Sequence, residues 1–81
     1  MLKYKYHVVI LHTDNTVEYV TRIDNDTKMF FCEKGKPALS FTKTRADDLM
    51  FGMIANFCCA AVIKVPDTYT LSNKESENGE N

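Results

Sequence analysis

The sequence predicts an α+β domain: an antiparallel sheet of about four strands, in the order β-β-β-(β)-α-β, with one helix on one face. Three observations carry this. Residues 2–23 alternate apolar and polar side chains on either side of a turn-forming cluster. Residues 42–57 repeat apolar side chains at helical spacing. The run Ala61-Val62-Ile63-Lys64-Val65 then returns as a strand closed by Pro66. At 81 residues, 44% hydrophobic and 26% charged, the chain supports one small domain with a modest core.

In the first strand Leu2, Tyr4, Tyr6, Val8 and Ile10 form an apolar face, alternating with Lys3, Lys5, His7, Val9 and Leu11. Thr13-Asp14-Asn15-Thr16 is a turn, because Asp and Asn tolerate positive φ. Val17, Tyr19, Thr21 and Ile23 give the second strand. A loop at Asp14-Asn15 sets Ile10 opposite Tyr19, Val8 opposite Thr21 and Tyr6 opposite Ile23, so that apolar sides match. Asp24-Asn25-Asp26-Thr27 is a second turn, followed by a third strand, Lys28–Cys32. A loop over 25–27 places Ile23 opposite Met29 and Thr21 opposite Phe31. After Glu33-Lys34-Gly35-Lys36-Pro37 turns the chain, Ala38–Phe41 is a short strand or extended approach.

Thr42 is the expected N-cap, with Phe41 packing back on Ala46 as a hydrophobic staple; Thr44-x-x-Asp47 offers a second start. Ala46, Leu49, Met50, Met53, Ile54 and Phe57 form the buried stripe. Asp47 and Asp48 fall in the first turns, where the helix dipole favours anions. Asn56 is placed to end the helix in the left-handed conformation. The domain spans 1–69. Residues 70–81 form an acidic tail whose last stretch, SNKESENGEN, lacks apolar anchors and is expected to be disordered and dispensable.

Charge excludes little but weakens one class. Residues 1–66 hold nine Lys and Arg against seven Asp and Glu, a balance of +2. That is low for a nucleic-acid binder. The N-terminal apolar run is too short and too regularly alternating for a signal peptide or membrane span, so a cytosolic protein is expected. The three cysteines make no disulfide framework. Adjacent Cys58 and Cys59 point oppositely in a strand and lack the C-x2-C spacing of structural zinc. With Cys32, His7 and His12 as the other soft ligands, no metal and no cofactor is expected, and the cysteines serve packing. His7 and His12 fall on opposite strand faces, and Asp47 and Asp48 do not face each other on a helix. No constellation for acid–base or nucleophilic catalysis emerges, so the protein is expected not to be an enzyme.

Two surfaces invite binding. In the registers above, Val9, Val20 and Cys32 line up across the outer sheet face beside His7, Arg22 and Phe30, with Lys3, Lys5 and Lys28 at the rim. Phe30 would anchor a partner and Arg22 would stack on it. The helix offers Asp48, Gly52 and Ala55 opposite its stripe, with Phe51 at the margin. Gly52 costs about 1 kcal/mol relative to Ala in a helix. A close-packed partner or a homodimer would account for that cost.

Phe41, Thr42, Ala46, Ala61, Val62 and Val65 together resemble a pattern of small bacteriophage accessory proteins, in which F-[ST]-x-x-x-A enters a helix and an A-x-V-x-x-V-like strand follows. The resemblance covers about the last third of the body. It implies a non-catalytic inhibitor or adaptor that binds a host protein, such as a defence or nucleic-acid-processing complex, as anti-CRISPR proteins do. Two other readings stand beside it. One is a single-strand nucleic-acid binder using Lys3, Lys5, Arg22, Lys28 and Phe30. The other is a nucleotide-like small-ligand sponge with pockets between subunits.

Overall fold

Asn15 decides how the first hairpin closes. It sits at φ 70°, in the left-handed region open to Asn. Its N–H donates to the His12 carbonyl (3.1 Å) and His12 N–H donates to the Thr16 carbonyl (3.0 Å). The loop is therefore Thr13-Asp14-Asn15, a type I turn followed by a left-handed residue. Asp14 fastens it by accepting from Thr16 Oγ1 (2.6 Å) and Thr16 N–H (3.1 Å). These bonds hold the exposed Asp14 carboxyl below its ordinary pKa of 3.8.

The computed structural model describes residues 3–56 and 58–74. Its strands are β1 (Tyr4–Leu11), β2 (Val17–Tyr19), β3 (Arg22–Asp24), β4 (Met29–Phe31) and β5 (Ala60–Pro66), with one helix, α1 (Lys43–Ala55). The fold is α+β, as the sequence predicts. The strands divide between an antiparallel sheet β2-β1-β5 and a separate hairpin β3-β4.

The longer loop shifts the first hairpin by one residue from the expected register. Val9 lies opposite Tyr19, Ile10 opposite Glu18 and Leu11 opposite Val17. Val20 N–H donates to the Val8 carbonyl (3.0 Å). Such a slip sends the partner strand's side chains to the other face. Val20 therefore joins Val8 in the core, and Tyr19 turns edge-on to His7 on the opposite side, with ring centroids 6.2 Å apart.

The expected single strand Val17–Ile23 is broken at Val20-Thr21. The Thr21 hydroxyl has Phe31 O (3.2 Å) and Glu33 Oε1 (3.0 Å) as alternative acceptors for its one proton and itself accepts from Glu33 N–H (3.0 Å). A side chain that takes backbone partners competes with the ladder, and the second hairpin leaves the sheet at this point. Its loop is also longer than expected. Lys28 takes φ 63° and donates its N–H to Asp24 O (2.8 Å). The Asp24 carboxylate accepts from Asp26 N–H (2.9 Å) and Thr27 N–H (3.4 Å). Phe30, rather than Met29, therefore lies opposite Ile23, and Phe31 opposite Arg22. Met29 is left exposed.

The helix starts where the sequence places it. Thr42 is the N-cap, its hydroxyl accepting from Arg45 N–H at 3.3 Å. Phe41 packs on the cluster that contains Ala46. Asp47 lies in the second turn rather than the first and pairs with Lys43 at 2.8 Å. Ala46 and Met53 are buried and Leu49 and Met50 half-buried, but Ile54 is exposed. Phe57 lies outside the described residues. Asn56 ends the helix at φ −103°, not left-handed, with its amide donating to the Gly52 carbonyl at 2.9 Å.

α1 covers the sheet face that carries Val8, Val62 and Ala60. The other face, expected to be open, is covered too. His7, Val9 and Val65 are buried there. His7 Nδ1 lies 2.9 Å from the Leu39 carbonyl, so that nitrogen carries the proton. Residues 37–39 pair with 71–73 through the Pro37–Ser72 bridge and an Ala38 N–H to Leu71 O bond of 2.7 Å. The chain leaves the sheet at Pro66 on the β5 edge and reaches the β2 edge at Asn73. Residues 71–73 are thus part of the body, and the tail expected from 70 begins too early. Residues 75–81 lie outside the described residues.

Candidate functional site

The displaced hairpin and the helix enclose a groove of about 350 Å³. Ile23 and Phe30 form its hairpin wall, and Leu49 and Met53 its helix wall. Val8, Val20 and Cys58 line it from the core side, while Lys28, Asp48 and Asn56 bring polar atoms to its lining. The loop geometry that slips β4 is what turns Phe30 into this groove, on Ile23's side of the hairpin. A largely apolar concavity with a few polar groups is the usual form of a binding site.

Gly52 lies on the helix wall. A Cβ built there would meet nothing within 4 Å. No other part of the described chain requires glycine at this point. The residue nevertheless costs the helix about 1 kcal/mol. It leaves the wall low enough for a foreign group to reach the helix backbone.

The structure gathers four of the expected binding residues, Phe30, Lys28, Val20 and Gly52, around one cavity. They come from both surfaces that the sequence suggested. Val20 contributes as a core residue, not as a surface one. The others are elsewhere. Val9 and His7 are buried on the opposite sheet face, and the row Val9-Val20-Cys32 does not exist. Cys32 packs against the core. Arg22 stacks on Phe31, not Phe30, with its guanidinium carbon 3.9 Å from the ring centroid and Nε 3.5 Å from Glu33. Phe51 is exposed on the far flank of the helix. Sequence reasoning missed Leu49, Asn56 and Ile23 as groove residues, while Asp48 is where it was expected, beside Gly52 on the helix surface. Their signal was present at Asp48, Leu49, Gly52 and Asn56, which share one helix flank by spacing, but the opposing wall depends on where the hairpin swings.

Cys58 is half-buried against the core, and Cys59 is exposed with its carbonyl accepting from Leu11 N–H at 2.9 Å. Burial above all, with the negative charge of Glu18 and then the neighbouring Cys58 adding to it, pushes the Cys32 thiol up to about 11. A thiol that ionises so late carries about a hundredfold less thiolate at neutral pH than an ordinary one, and thiolate is the reactive form. Native protein at pH 8 is therefore expected to release colour rapidly from Cys59 in a thiol–disulfide reagent, and from Cys32 only on unfolding. Fast reaction of all thiols in the native state would contradict this placement. Among the described residues, no group of three His, Cys, Asp or Glu side chains is arranged to hold a metal ion. Among the same residues, no helix is long and apolar enough to cross a membrane.

Comparison of the chain with protein-family models, with curated proteins and with solved structures returns no match.

Proposed function

We propose that the protein is a non-catalytic binding module whose groove between the β3-β4 hairpin and α1 takes an apolar side chain of a partner protein. The observation that carries this reading is Gly52, a costly residue on a groove wall where the described chain gives it no internal task. A partner backbone lying on Gly52 would direct its side chain between Phe30 and Leu49. Lys28 and Asp48 supply charges of opposite sign at the groove for orienting polar contacts. Inhibition or redirection of a host protein, in the manner of a phage accessory protein, rests on the resemblance at Phe41, Thr42, Ala46, Ala61, Val62 and Val65.

Three variants test the groove. Gly52→Ala is expected to fold and to gain about 1 kcal/mol of stability, because a methyl group fits the open space of the free protein, but to weaken partner binding, because the methyl stands where the partner backbone would lie. Gly52→Leu is expected to fold and to lose the partner by filling the groove. Phe30→Ala is expected to fold and to bind at least about tenfold more weakly. Pull-down from bacterial lysate followed by mass spectrometry reads all three against the wild type. If Gly52→Leu and Phe30→Ala retain the same proteins as the wild type, the groove is not the binding site. If the retained activity falls steeply with salt, the contact is with nucleic acid instead.

A further inference from the structure

The opposite flank of α1 and the free edge of β5 lie together, away from the groove. β5 ends the sheet order β2-β1-β5. Its ladder with β1 fixes which backbone groups it has already used. Leu11 N–H donates to Cys59 O and Asp67 N–H to Lys3 O, both at 2.9 Å. Between them Val9 faces Ala61, His7 faces Ile63 and Lys5 faces Val65 without a break in register. Bonded pairs alternate along an antiparallel ladder. The odd-numbered residues of β5 therefore bond to β1, and the N–H and C=O groups of Ala60, Val62 and Lys64 point to the free edge. Pro66, with no N–H to offer, falls at the next outward position, where a strand tolerates it. Among the described residues, no loop or turn bonds to these outward groups.

Such edges are ordinarily guarded by several charges or a bulge. β5 carries one charge, Lys64, whose ammonium is drawn over the Tyr4 ring at 4.3 Å. The helix exposes apolar surface on the same side. Asp48, Leu49, Gly52 and Asn56 face the hairpin, so the 3.6-residue period turns Asp47, Phe51 and Ile54 to the other flank, over β5. Phe51 is 63% exposed and Ile54 48% exposed.

We propose that the chain forms a two-fold dimer through β5, pairing this edge antiparallel with the same edge of a second copy. The two three-stranded sheets become one continuous sheet. An axis perpendicular to the sheet keeps both helices on one face, where the Phe51 and Ile54 ridges of the two copies meet. The edge is self-complementary in one register. With Val62 opposite Val62 of the second copy, Ala60 pairs with Lys64, and every outward donor and acceptor from 60 to 64 finds a partner. The two lysines then stand four residues apart along the strand, about 14 Å. Centring the pair on Ile63 would bring the lysines diagonal to each other and leave Ala60 facing Pro66, which has no N–H to give. Centring it on Lys64 would set like charges face to face. A single foreign strand would satisfy the edge but leave Phe51 and Ile54 in water; a second copy covers both. The dimer is independent of the groove, which lies on the opposite helix flank.

Sedimentation velocity and amide hydrogen exchange across about 1–500 μM protein test this arrangement. The dimer mass is expected, together with concentration-dependent protection of the Val62 and Lys64 amides. Lys64→Pro, which deletes an outward N–H, is expected to give a folded monomer. Phe51→Glu, on an exposed side chain, is expected to raise the dimer dissociation constant at least about tenfold with unchanged circular dichroism. A wild-type monomer at the highest concentration would overturn the proposal. So would a dimer whose Val62 amide exchanges freely, or one that Phe51→Glu leaves at wild-type strength.

Discussion

Replacing Asn73 with alanine is expected to lower stability by about 2–3 kcal/mol, or roughly 10–20 °C in melting temperature. The Asn73 side chain acts as a short piece of strand. Its Oδ1 accepts from Tyr19 N–H at 2.7 Å, and its Nδ2 donates to Tyr19 O at 2.9 Å and to Glu33 O at 3.2 Å. It thereby closes the outer edge of β2 and ties the residues 33–39 segment to the sheet. The Asn73 carbonyl adds a bond from Gly35 N–H at 3.0 Å. Alanine would leave three partly buried backbone groups to find water or stay unpaired. Asn73→Asp is expected to be at least as harmful, because a carboxylate would then face two carbonyl oxygens. Truncation after Leu71 should match or exceed Asn73→Ala. Thermal melts followed by circular dichroism read these differences directly. Melting within about 3 °C of wild type for both Asn73→Ala and the truncation would show that the 71–73 segment adds no stability.

Val20→Asp is expected to prevent folding altogether. Val20 is 1% exposed and packs with Val8, Ala46, Met53 and Ala60 at the centre of the core. A carboxylate there loses its hydration, a cost of several kcal/mol even when it is met by protonation. Stability for a small domain is only about 5–15 kcal/mol in total. Val20→Ala, a milder change, is expected to cost about 2 kcal/mol through lost transfer energy and the cavity it leaves. Proton NMR dispersion at 25 °C is the readout, set beside Phe30→Ala as a folded control. A dispersed, native-like spectrum for Val20→Asp would place Val20 on the surface, as the two-residue hairpin loop requires, and would overturn the register described above.

The helix was legible because its signals are local. Thr42 as cap, Phe41 as staple, and Ala46, Leu49, Met50 and Met53 on one side need nothing beyond their own spacing. The same holds for β5 and for the positions of both turns. The two hairpin registers were not legible, and the reason is physical. Asn15 and Lys28 each take a positive φ that lengthens its loop by one residue. Asn advertises this conformation only weakly, and Lys does not advertise it at all. Each added residue reversed which side chains faced the core, moving Val20 inward and pairing Phe30 with Ile23.

One signal for the covered second face did exist. Val8, Val9 and Ile10 are apolar on both faces of one strand, and such strands are usually buried on both. What covers them could not be read from the pattern, because residues 37–39 and 71–73 have no period of their own and are held by backbone and amide bonds. By itself the sequence determined the α+β class, the helix and its cap, and the returning strand. Those features follow from periodicity, capping and turn chemistry, all of which act within a few residues. Tertiary structure decided which face each hairpin residue takes, that the far sheet face is closed, and that Phe30 and Gly52 border one groove. Those depend on loop dihedrals and on contacts between segments as far apart as Tyr19 and Asn73, where no local preference reaches.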